Sequence, residues 1–177
     1  MTDSIPVRRR IAQRLIIVCA SVLLTNAVPA EEVILPGHAV TMTIPVGWER
    51  RTNFAAPILV VAVEPATGDS LGLVGLKYPG EKFTLNRKEA ETGMLKELGL
   101  DGKILRRRDT MLAGVPAYCV IAETRVQGRI ISAARIMTEK PINGFLYAAQ
   151  YSKMGGGYLD DSFIRTIVNR FRVKEFK

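Results

Sequence analysis

From residue 39 onward the chain is dominated by short runs of apolar residues with a two-residue period. Val40, Met42 and Ile44 alternate with Ala39, Thr41 and Thr43, which predicts a half-buried strand. Ile44-Pro45-Val46-Gly47 follows and predicts a type I turn, with proline second and glycine fourth. Ile58 to Val63 (ILVVAV) is continuously apolar and rich in β-branched residues, the pattern of a strand covered on both faces. Glu64 to Ser70 carries Pro, Gly and Asp and predicts a loop. Leu71 to Tyr78 returns to strand and holds two glycines.

After Pro79-Gly80 the period changes. Asn86 is suited to cap a helix, with Glu89 three residues on as its capping-box partner. Ala90, Met94, Leu95 and Leu98 recur at helical spacing, and Gly99 suits the C-terminal end. Lys103 to Leu112 reads as a strand bearing three consecutive arginines, and Ala113 to Pro116 turns the chain. Ala117 to Val126 and Arg129 to Thr138 are two β runs separated by Gln127-Gly128, the spacing of a tight hairpin. The loop Glu139 to Asn143 leads to a strand over Gly144 to Ser152, and Met154 to Gly157 breaks the pattern. Leu159, Phe163, Ile164, Ile167, Val168 and Phe171 then mark an amphipathic helix, with Asp160 and Asp161 in its first turn. A short closing strand over Arg172 to Phe176 completes the pattern.

These elements total about seven strands and two helices. Strands adjacent in sequence and joined by short turns predict a largely antiparallel sheet. Several are apolar on both faces, so layers must cover both sides. The expected fold class is α+β, an α/β/α sandwich around that sheet.

The first thirty residues have a different character. Arg8, Arg9, Arg10 and Arg14 precede a ten-residue apolar run, Leu15 to Leu24, and Val28-Pro29-Ala30 puts small residues where a signal peptidase cuts. The run is short for a membrane span, which takes ~20 residues. Residues 1–30 are therefore expected to be a signal peptide and residues 31–177 a single domain, periplasmic or secreted in a bacterium. An uncleaved anchor is the competing reading. Cys19 lies within the apolar run, in poor context for lipidation. With residues 1–30 gone, the formal charge of +8 falls to +5, mildly basic and not a nucleic-acid stripe. Cys119 is then the one remaining cysteine, so no internal disulfide forms, and its apolar neighbours predict burial.

Little catalytic machinery is visible. His38 is the single histidine, expected at the surface or a strand edge near a fraying end. No nucleophile elbow accompanies it. Asp160 and Asp161 are expected to satisfy a helix N-terminus and not a cation. Gly155-Gly156-Gly157 lacks the Lys-Ser/Thr of a phosphate loop and reads as a connection. Trp48 reads as a plug at the end of the sheet, with ligand stacking as the functional alternative. Arg106, Arg107 and Arg108 stand out most. Arg106 and Arg108 share one strand face and Arg107 takes the other. Such a triplet protects an edge strand, or it forms an electropositive patch for an acidic partner.

Pro45-Val46-Gly47-Trp48 after an opening strand, Gly114-Val115-Pro116-Ala117 before a long hairpin, and Phe145-Leu146-Tyr147 ahead of a closing helix and Phe171-Arg172-Val173 together resemble the PsbP/Mog-like superfamily, including bacterial DcrB-like proteins. The likeness covers nearly all of residues 33–177. It implies an α/β/α sandwich and largely non-enzymatic roles: an accessory subunit of photosystem II, a Ran-binding protein, envelope lipoproteins. It carries no family active site onto this chain.

The expected function is thus an exported, non-enzymatic accessory or binding protein of the cell envelope, with a protein partner and no cofactor, metal or nucleic acid. The alternative is a small-molecule or lipid carrier with a pocket between sheet and helix. An apolar pocket of several hundred Å3 distinguishes the second from the first.

Overall fold

The computed structural model describes residues 30–51, 54–78, 80, 83–99 and 101–174. The expected signal peptide and Cys19 lie outside the described residues. Ten strands and two helices follow in order: β1 (Glu31–Val33), β2 (Val40–Ile44), β3 (Glu49–Arg51), β4 (Ile58–Val63), β5 (Ser70–Lys77), α1 (Arg87–Leu98), β6 (Lys103–Leu112), β7 (Val115–Val126), β8 (Arg129–Thr138), β9 (Phe145–Met154), α2 (Asp161–Val168) and β10 (Phe171–Val173). Seven strands make the large sheet, in the order β3-β4-β5-β9-β8-β7-β6, and β1-β2-β10 make a small one. Every pairing is antiparallel. This is the α+β fold the alternation predicts, with a small sheet added to one outer layer.

The pleat sorts the large sheet's residues into two cores. Leu71, Leu73, Cys119, Ile121, Ile136, Tyr147 and Ala149 point to one side, where β2 and α2 cover them with Val40, Met42, Ile164 and Ile167. Tyr118, Val120, Ala122 and Ala133 point to the other side and meet Met94 of α1. Every fully buried residue of these two cores lies between Val33 and Phe171.

Local chemistry sets the helix limits. Asn86 Oδ1 accepts from the Glu89 amide at 3.2 Å, and Gly99, at φ +87°, returns its amide to the Leu95 carbonyl. Asp160 Oδ1 accepts from the Phe163 amide at 2.7 Å, a bond that holds its carboxyl below the usual carboxylate range. That cap starts α2 two residues after Leu159, and the helix ends at Val168, shorter than the apolar spacing predicts. Leu159 and Phe171 keep the periodicity because both are buried from outside the helix. Position also corrects the first turn. The Trp48 amide donates to the Pro45 carbonyl, so Gly47 is the third residue, at φ +80°, as a type II turn requires.

The main departure concerns β4 and β5. The β4 sequence predicts burial on both faces and that of β5 is likewise apolar, yet α1 packs mainly over β6 and β7, with Met94 also against Ala133 of β8. Val60 and Ala62 are buried while Ile58 is exposed and Val61 half-exposed; on β5, Leu71 and Leu73 are buried while Leu76 is exposed. One apolar face of this half of the sheet is left without a covering layer.

Candidate functional site

That uncovered face is the floor of a trough of about 830 Å3. One wall is the flank of α1, through Asn86, Glu89, Ala90 and Glu97, and the segment Phe83–Leu85 closes one side. Strand register orders the floor. Ile58, Val74, Ala148 and Met137 form one cross-strand row, with the Leu76–Leu146 pair beyond it. The next row in the other direction is Val61, Gly72, Gln150 and Arg135, and then come Ser70 and Ser152. The floor therefore grades from wholly apolar to polar along its length.

Arg135 fixes the polar half. Its Nη2 donates to Gln150 Oε1 at 2.7 Å, and its guanidinium also holds both carboxylate oxygens of Glu97 on α1. The pair ties helix to sheet and presents neutralised but hydrogen-bonding groups to the trough.

The residues singled out from sequence lie elsewhere. Strand β6 is an edge of the large sheet. Arg106 and Arg108 reach one side of it, where both meet Asp161 at 2.7 and 2.5 Å, and Arg106 also donates to the Tyr158 hydroxyl at 2.9 Å. Arg107 points to the opposite side and holds both oxygens of Glu91, at 2.9 Å each. The three guanidiniums thus share two carboxylates of the same chain, Asp161 and Glu91. Trp48 is half-buried against the larger core, with its ring 6.4 Å from that of Tyr151. Neither the triplet nor Trp48 lines the trough.

His38 is half-buried and not frayed at the surface. It packs on Phe145, centroids 4.5 Å apart, and its Nδ1 lies 3.3 Å from the Tyr147 hydroxyl, which accepts from the Ala39 amide. Burial pushes its pKa down. It borders a second depression, of about 420 Å3, that shares Pro57 and Leu76 with the trough. Cys119 is fully buried, and burial pushes its thiol up to about 11, the wrong direction for a nucleophile. Among the described residues no group of His, Cys, Asp and Glu is placed to hold a metal ion.

No protein-family model matches the chain, and comparison with curated proteins finds no match. Solved structures do match. Cyanobacterial PsbP (CyanoP) from Synechocystis sp. PCC 6803 superposes with a TM-score of 0.61 at 12% identity, over 85% of this chain and 95% of that one. The Ran-binding protein Mog1p of Saccharomyces cerevisiae gives 0.57 at 12% identity, over 83% and 96%. The chain has the PsbP/Mog-like fold. LpqN of Mycobacterium tuberculosis, involved in cell envelope biogenesis, shares it with a TM-score of 0.54 at 12% identity, over 83% and 86%. At such identities the PsbP/Mog-like fold transfers and the partners do not.

The trough was partly legible in sequence. The signal was the apolar excess of Ile58 to Val63 and Leu71 to Leu76 on faces that only one short helix could cover. What sequence could not supply was where α1 would settle.

Proposed function

We propose that this chain is an exported, non-catalytic binding protein of the cell envelope that holds an amphipathic ligand in the trough. The graded floor is the observation that carries the reading. An apolar tail lies along Val74, Ala148, Met137 and Leu146, and a polar head reaches Gln150, Ser152 and the Arg135–Glu97 pair. The volume falls within the ~300–1,000 Å3 of small-molecule sites. A non-catalytic role is supported by the groups whose acidity is most displaced. Tyr151, Tyr118 and Cys119 are turned into protein contacts and not into the trough. Export is supported by the basic, then apolar, first thirty residues.

A fluorescent fatty-acid analogue, titrated against wild type and Ala148→Trp, tests the site. The indole fills the floor from a position that faces the trough, so probe affinity falls at least tenfold while thermal unfolding still reports a folded protein. Equal affinity of the two proteins would remove the trough from the argument. Val74→Asp is the second variant, and it lowers affinity by placing a carboxylate under the tail.

A further inference from the structure

At one end of the large sheet the β7–β8 hairpin turns at Gln127 and Gly128. Arg125 and Arg129 flank the turn, and Val126, directly opposite Arg129, is 47% exposed. Lys153 and Met154 of β9 reach the same end, opposite Ser132 and Ile131, and Met154 is 38% exposed. Among the described residues, Arg125, Arg129 and Lys153 enter none of the ion pairs that occupy Arg106, Arg107, Arg108 and Arg135. Of the carboxylates nearby, one is ion-paired and two are bonded to neutral donors of their own surroundings. Glu123 pairs with Lys103 at 3.1 Å, Glu64 accepts the Thr67 hydroxyl at 2.6 Å, and buried Asp69 accepts from the Tyr151 hydroxyl and the Met154 amide. The hairpin end therefore gathers three cations that enter none of the ion pairs among the described residues and interleaves them with exposed apolar side chains.

We propose that this end docks on an anionic lipid surface. Guanidinium and ammonium groups at headgroup depth meet lipid phosphates while Val126 and Met154 enter the boundary of the acyl region. A hairpin tip is convex and narrow. It wedges among mobile headgroups more readily than it supplies the ~800 Å2 per partner of a stable protein interface. The argument rests on the hairpin and not on the trough reading. Where both hold, docking brings the trough's polar end, at Ser70 and Ser152, toward the bilayer, since Ser152 directly precedes Lys153.

Vesicle flotation tests the proposal, using the chain from residue 31, which retains every residue of both cores. Vesicles of phosphatidylcholine alone are compared with vesicles that also contain phosphatidylglycerol. Wild type partitions onto the anionic vesicles and not onto the neutral ones, and added salt reverses it. Each arginine near such a surface is worth about a fivefold change in partitioning, so Arg125→Ser with Arg129→Ser lowers it roughly twentyfold or more. Val126→Ser alone lowers it several-fold. These side chains are exposed, so the variants keep the wild-type melting temperature, and either arginine changed singly serves as a milder form. Equal partitioning onto neutral vesicles overturns the proposal. So does a Val126→Ser protein that binds as wild type while the arginine variant fails, because charge alone then governs and an acidic protein surface becomes the better occupant.

Discussion

The Tyr118 hydroxyl donates to Glu91 Oε1 at 2.5 Å, and the same carboxylate takes two bonds from Arg107. This joins the middle of α1 to β7 and to the edge strand β6. The clamp matters because Met94 is the single fully buried residue of that helix. Arg87 adds to it by lying over the Tyr118 ring, 4.5 Å from its centroid. Removing the hydroxyl leaves a charged acceptor short of one donor. Tyr118→Phe is expected to cost about 1.5 kcal/mol, a fall of roughly 3–6 °C in melting temperature. Faster hydrogen exchange confined to Lys88–Leu98 identifies the loss with the helix and not with the larger core.

The same carboxylate sets a pH dependence. The Arg107 bonds first, and then the Tyr118 bond, hold Glu91 below its ordinary value of 4.5. A carboxyl depressed on folding contributes stability that is present above the unfolded pKa and is lost as pH falls through the folded one. Acidification below about pH 4.5 is therefore expected to loosen α1 ahead of the β1-β2-β10 side. Exchange of the Met94 and Leu98 amides, followed from pH 6 to pH 3, measures it. Glu91→Gln is expected to flatten that profile, and an unchanged profile in the variant would assign the acid response elsewhere.

Which parts of this arrangement were legible depends on the range of the interactions. The alternation of Arg106, Arg107 and Arg108 across two faces follows from strand geometry alone, and the structure has it. Their partners, Asp161 and Glu91, lie 55 and 16 residues from the arginines they hold, and nothing local announces either. Asn86, Asp160 and Gly128 were readable because caps and tight turns are chemistry within a few residues. The helix α2 is shorter than the apolar spacing predicts because such periodicity records burial, and Phe171 is buried from a strand as well as it would be from a helix. Coverage of β4 departs from its pattern for a related reason. An apolar pattern states that a face avoids water, not whether protein or a ligand covers it.

The glycine connection between β9 and α2 offers a graded test. Gly155 and Gly156 have φ of +84° and +74°, where a side chain strains the backbone. A Cβ on Gly155 meets open space, but one on Gly156 would lie 2.6 Å from Ile130 Cγ2. Gly155→Ala is expected to cost on the order of 1 kcal/mol from backbone strain alone. Gly156→Ala adds a clash with a β-branched side chain and is expected to cost more. Denaturant unfolding of the two variants gives the order. If Gly155→Ala proves the more harmful, close packing of this loop on the β7–β8 hairpin is not what the glycines serve.

Burial of Cys119 predicts both a reactivity and an alkaline limit. The thiol is fully buried, and desolvation raises it from 9.0 to about 11 despite the nearby charges of Arg108 and Arg106. At pH 8 the folded protein is expected to resist a thiol reagent at this position, and guanidinium unfolding releases full labelling. A group raised on folding contributes stability that is complete below its unfolded pKa and is lost as pH climbs through the folded value. Unfolding free energy should therefore decline between pH 9 and pH 11. Tyr118 shares in the decline from pH 10 upward, since burial and the Glu91 bond raise its hydroxyl to about 12. Cys119→Val removes the first contribution and leaves the second, so its stability holds to about pH 10 before falling. A variant that loses stability from pH 9 as steeply as wild type would show that the thiol is not the group that titrates.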